Sequence, residues 1–121
     1  MNPSKSANFK VEARDSAQGA RILTVTGPLT LQTLFDFQAV ALQDAMKGVI
    51  VDISAVPFMD SAGLGCIISI FASCQRTNRG FGVVGASDRI RTLFEITHVD
   101  TLLPRFETLD AAETAVAKTG A

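Results

Sequence analysis

Asp60-Ser61-Ala62-Gly63-Leu64-Gly65 sets an acid, a hydroxyl and two glycines at the mouth of an apolar run, Leu64 to Ala72. The run has helical spacing. Before it, Val49-Ile50-Val51-Asp52-Ile53 reads as a buried strand, followed by a short loop from Ser54 to Met59. Ser61 is therefore expected where a strand hands over to a helix. The first turn of a helix has unpaired N–H groups and the positive end of the helix dipole. A phosphate ester on Ser61 would sit in a favourable field there. The plainer role is capping, because Asp and Ser before an apolar run are ordinary N-cap residues. Glycines within the first turns cost about 1 kcal/mol each relative to alanine. Such a cost points to close approach by another backbone or by a partner. Capping and phosphorylation are compatible, since both use the same exposed turn.

Other chemistries fail on residue type or spacing. Gly63-Leu64-Gly65 lacks the third glycine and the acidic partner of a dinucleotide fingerprint, and no glycine-rich stretch ends in Gly-Lys-Ser/Thr. A nucleophile elbow needs glycine two residues before the serine, where this chain has Met59. His98, the single histidine, could act as a base for Ser61, but at the end of a helix it reads as a surface or capping residue. Asp52 and Asp60 could be an acidic pair for magnesium. Asp52 reads better as the end of the central strand, bonded to local backbone. Arg89 and Arg91 read as solvated helix residues. Cys66 and Cys74 lie two helix turns apart, too far to bridge within one helix, and read as small core or boundary residues. Neither a metal nor another cofactor is expected. A serine without a base or oxyanion donors is suited to be another enzyme's substrate.

The elements that must position Ser61 follow from periodicity. Phe9 to Ala13 alternates as an edge strand, and Arg21 to Thr26 forms a second strand that Gly27-Pro28 stops, so the two should make a hairpin. Thr30 can cap a helix over about 31–46, with Leu34, Phe37, Val40, Ala41 and Ala45 inward and Gly48 as its C-terminal stop. Val49 to Ile53 is apolar enough to be covered on both faces. The second helix is expected over about 61–77, with Leu64, Ile67, Ile68 and Phe71 inward. Gly82 to Gly85 forms a strand. Ser87 caps a helix over 88–96 with Ile90, Leu93 and Phe94 inward. A brief strand is expected near Arg105-Phe106. Asp110 and Glu113 have capping-box spacing for a last helix over about 111–118. This order predicts an α/β sandwich with a mixed sheet of four to five strands and about four helices.

Composition bounds the rest. The chain has 121 residues, 47% of them apolar and 19% charged, enough for one globular domain with a single core. A net charge of −1 with no basic block argues against direct nucleic-acid binding, so a role in transcription would run through a protein partner. No secretory signal and no run long enough to span a bilayer is seen, which makes the cytoplasm the expected compartment.

The segment from Val51-Asp52-Ile53-Ser54 through Phe58-Met59-Asp60-Ser61-Ala62-Gly63-Leu64-Gly65 resembles the phosphorylation-site motif of STAS-domain anti-sigma factor antagonists. Gly27-Pro28-Leu29-Thr30 and Arg91-Thr92-Leu93-Phe94 ahead of Leu102-Leu103 add to the likeness. The resemblance covers residues 9–117, between a loose tail at 1–8 and a short one at 118–121. It implies a single STAS-like domain that is not an enzyme. When unphosphorylated, such a domain binds an anti-sigma factor that is also a serine kinase. Phosphorylation of the matching serine, Ser61, releases it, and a PP2C-type phosphatase restores it. The residues it places at the partner surface are Thr30, Met59, Asp60, Ser61, Ala62, Gly63 and Gly65. Two departures stand out. Thr30 occupies a position often acidic in the family, and Ala62 replaces a frequent second hydroxyl. Competing expectations are a STAS subunit of a stressosome-like scaffold and a small hydrolase using Ser61.

Overall fold

A computed structural model of the chain describes residues 9–41 and 48–118. β1 (Lys10–Asp15) and β2 (Ala20–Thr26) form the expected antiparallel hairpin. The Ser16 hydroxyl closes its turn by accepting the N–H groups of Gln18 and Ala20. From β2 onward every pairing is parallel: β3 (Gly48–Ala55) lies beside β2, β4 (Gly80–Val84) beside β3, and the two-residue β5 (Arg105–Phe106) beside β4. The sheet is mixed, five strands in sequence order, with four helices among the described residues: α1 (Leu34–Ala41), α2 (Ser61–Arg76), α3 (Asp88–Ile96) and α4 (Leu109–Lys118).

Alternation along the strands divides the helices between the two faces. Leu23, Val25, Val49, Val51, Ile53 and Val83 point to one face and pack with Phe37 of α1, Leu64, Ile67 and Phe71 of α2, and Ile90 and Phe94 of α3. Ala20, Ile22, Ile50 and Val84 point to the other and meet Ala112 and Val116 of α4. β3 is thus covered on both sides, as its near-continuous apolar run requires.

Local differences from the sequence reading have local causes. α1 starts at Leu34, after a turn that Thr33 ties: its hydroxyl accepts the N–H of Thr30 and donates to the Pro28 carbonyl, and its backbone carbonyl takes the N–H of Phe37. Thr30 serves one turn earlier, accepting the Gln32 N–H. Residues 42–46 of the expected first helix, Ala45 among them, lie outside the described residues, as do the tails at 1–8 and 119–121. Gly48 opens β3 with φ +156°, and a Cβ there would fall 2.3 Å from the Gly80 carbonyl oxygen. β3 continues past Asp52 to Ala55, while the Asp52 carboxylate accepts both the N–H and the hydroxyl of Ser54. α4 is capped by Thr108, whose hydroxyl accepts the Ala111 N–H, so the Asp110–Glu113 spacing is not its cap. Ser87 caps α3 as expected, accepting the Ile90 N–H.

Candidate functional site

Asp60 and Ser61 divide the work that the sequence left shared between them. Asp60 is the N-cap of α2, in extended backbone, and its Oδ1 accepts the Gly63 N–H at 2.9 Å. Ser61 is the first helical residue, exposed, and among the described residues no hydrogen bond engages its hydroxyl.

The second oxygen of Asp60 ties this helix start to the loop before α1, with Oδ2 accepting the Leu31 N–H at 3.1 Å. The backbones are joined as well. Leu29 N–H donates to the Phe58 carbonyl at 3.2 Å and Asp60 N–H to the Leu29 carbonyl at 3.3 Å, a short parallel bridge between Leu29 and Met59. Two loops distant in sequence therefore form one platform. Partial desolvation pushes the Asp60 carboxyl up, but the N–H groups of Gly63, Leu31 and Ala62 outweigh it and hold the group below the ordinary value of 3.8.

The two glycines have different reasons. A Cβ on Gly63 would lie 2.2 Å from the Leu29 carbonyl oxygen, so the close approach is internal: the loop before α1 rests on the first turn of α2. At Gly65 nothing among the described residues lies within 4 Å of such a Cβ, and the residue is exposed. Met59 and Gly63 are buried and shape the platform from beneath. Ser61 and Gly65 face solvent, and Thr30, Asp60 and Ala62 are half-buried at its rim. Thr30 and Asp60 line one depression beside the α2 start.

Sequence reasoning missed the apolar rim. Leu31, Phe35 and Phe58 are 62%, 72% and 41% exposed, and Leu31 and Phe58 flank a shallow depression of about 380 Å³ together with Pro28, Thr30, Thr33 and Asp60. The signal was present, because Leu31 and Phe35 fall off the inward stripe of the first helix.

The remaining candidates lie elsewhere. His98 is exposed in the turn after α3, with φ +61°. Cys66 and Cys74 are free and buried, and burial pushes both thiols up. Among the described residues no cluster of His, Cys, Asp or Glu could hold a metal ion, and no helix is long and apolar enough to cross a membrane.

A family model of the STAS domain matches residues 8–112. This chain belongs to the STAS domain family. The anti-sigma-B factor antagonist of Staphylococcus aureus is 32% identical to it over 82 residues, spanning 65% of this chain and 76% of that protein. Among solved structures, an anti-sigma factor antagonist from Mycobacterium paratuberculosis superposes with a TM-score of 0.75 at 26% identity, covering 95% of this chain and 97% of its own. The anti-sigma factor antagonist SpoIIAA in its unphosphorylated form shares the fold, with a TM-score of 0.65 at 14% identity over 84% of this chain and 92% of its own. The five-stranded sheet with helices on both faces is therefore the STAS fold, and the Asp60–Ser61 platform sits on it at the carboxyl end of β3.

Proposed function

We propose that this STAS domain is an anti-sigma factor antagonist and acts as a phospho-switch, with Ser61 as the phosphoacceptor. The observation that carries the reading is Ser61 itself: an exposed hydroxyl on the first residue of α2, unbonded among the described residues, next to Asp60, which lines one depression with the exposed Leu31 and Phe58. The names of the relatives support the antagonist role. The partner that this reading requires is an anti-sigma factor with serine kinase activity, and a PP2C-type phosphatase resets the switch. The domain contributes no catalysis of its own, and its setting is the cytoplasm.

The physics of the switch is local. Phosphorylation adds roughly −1.5 to −2 charge beside the Asp60 carboxylate. A partner seated on Leu31 and Phe58 would have to desolvate that charge without pairing it. The cost of a buried, unpaired charge at an interface is about 2–5 kcal/mol, so affinity should fall by at least about 30-fold.

The test begins with a pull-down from the native host using the unmodified protein, which identifies the kinase. Incubation with that kinase and ATP should label Ser61. Label on Ser54, Ser69 or Ser73 with none on Ser61 overturns the assignment. By calorimetry, Ser61→Ala should bind and resist inactivation, while Ser61→Asp and Ser61→Glu bind weakly. Equal affinity of all three removes Ser61 from the interface.

A further inference from the structure

The exits of the last two strands diverge. The chain leaves β4 toward α3, which packs on the face of Val83 and Ile53, and leaves β5 toward α4, which packs on the face of Ile50 and Val84. Neighbouring parallel strands whose connections go to opposite faces leave a crevice at their carboxyl ends, the usual ligand position in open α/β sheets. A cleft of about 470 Å³ opens there, between Gly85 and Ala86 after β4, Arg105 and Glu107 on the β5 side, and Arg91 of α3. Its size falls within the ~300–1,000 Å³ of small-molecule sites.

The chemistry of the lining is cationic. Arg105 holds its guanidinium carbon 6.0 Å from the centre of the Phe94 ring, within cation–π range. Arg91 pairs with Asp88 on the exposed surface of α3, an interaction that contributes little and yields readily to a better partner. Glu107 is the one acid in the lining. Gly85 makes the turn with φ +84°, and a Cβ there would meet the Ser54 side chain at 2.7 Å. This side of the cleft is therefore walled by close backbone.

We infer that this cleft binds a small hydroxylated phosphate monoester, the phosphate held between Arg91 and Arg105 and a hydroxyl donating to Glu107. Guanidinium forks match phosphate oxygens in geometry as well as charge. The sequence shows Arg91 as a solvated helix residue; the fold sets it and Arg105, fourteen positions on, around one cavity. The cleft shares no lining residue with the Ser61 platform, so the two readings stand or fall separately.

The test is a ¹⁵N NMR titration of the full chain with ribose 5-phosphate, with ribose as the uncharged control. Ribose 5-phosphate should give saturable shifts at Gly85, Ala86 and Glu107, and ribose none. Arg91→Gln and Arg105→Gln should each weaken binding about 10-fold with the spectrum otherwise dispersed as before. Arg76→Gln, exposed in the last turn of α2, should leave it unchanged. If Arg105→Gln unfolds, Arg91→Gln decides alone, because that side chain is 55% exposed. Shifts centred on residues 61–65, equal shifts with ribose, failure to saturate, or indifference to the arginine substitution would each overturn the assignment.

Discussion

Asp60 does two jobs with one carboxylate, and each can be measured. Its Oδ1 caps α2 and its Oδ2 anchors Leu31, so Asp60→Asn weakens a cap and a link between loops together. Asn still caps but gives up the charge at the helix N-terminus and one acceptor oxygen, so the expected loss is about 0.3–1 kcal/mol at neutral pH, read by urea denaturation. The loss should depend on pH in a defined direction. The folded carboxyl titrates below its ordinary value of 3.8, so its contribution is complete above that value. It fades as pH falls through the folded value, because the unfolded chain binds the proton first. Wild type and Asp60→Asn should therefore converge in stability in acid. A gap that stays constant from neutral pH into acid would show that the carboxylate's charge plays no part in the platform.

At the scale of the element, α2 carries two glycines whose substitutions should have opposite effects. Gly63→Ala drives a methyl into the Leu29 carbonyl and should cost about 1–3 kcal/mol or more, as overpacking does. Gly65→Ala meets open space and should raise helix stability by up to about 1 kcal/mol. Thermal melts of the two variants check this, and a destabilised Gly65→Ala would refute the assignment of open space above α2. On the same reading of the Ser61 surface, Gly65→Ala should weaken partner binding while the fold gains. The inner face of α2 supplies a second contrast. Ile67 is fully buried and Ile68 only half-buried, so Ile67→Ala should cost about 2–5 kcal/mol and Ile68→Ala clearly less.

For the molecule as a whole, α1 and α2 share one face of the sheet, and the Leu29–Met59 bridge joins the loops that precede them. A phosphate on Ser61 finds donors and a favourable dipole at the α2 start and needs no new pocket. Phosphorylation should therefore leave the fold almost unchanged. NMR shifts between the two forms should be confined to about residues 58–66 and the adjoining 27–32 loop. Shifts that spread to Val83 and α4 would instead demand a conformational transition across the sheet. The switch would then require a second state of the core, which is packed on both faces of β3.

Ser61 at a strand-to-helix junction, the buried β3, the inner stripe of α2 and the Ser87 cap were all legible in the chain. Each rests on a local rule: a run of apolar residues, a helical spacing, a hydroxyl before a helix. The apolar stripes were less sharply divided, since Ile68 and Leu93 are only half-buried. Local rules could not say which of two adjacent capping residues takes the N-cap, because Asp60 is chosen partly by the Leu31 N–H from a distant loop. Nor could they place the start of α1, where the Thr33 hydroxyl reaches back to the Pro28 carbonyl and ties the turn before the helix. The meaning of the glycines was also tertiary: Gly63 answers to Leu29, 34 positions earlier, and Gly65 to nothing among the described residues. Periodicity assigned faces to Leu34 and Phe37, but only the packed sheet shows that Leu31, Phe35 and Phe58 remain outside the core. Sequence alone determined which residues could form the elements and which hydroxyl opens the second helix. Tertiary structure decided which of them meet, because hydrogen bonds and close contacts between distant segments exist only once the sheet has brought those segments together.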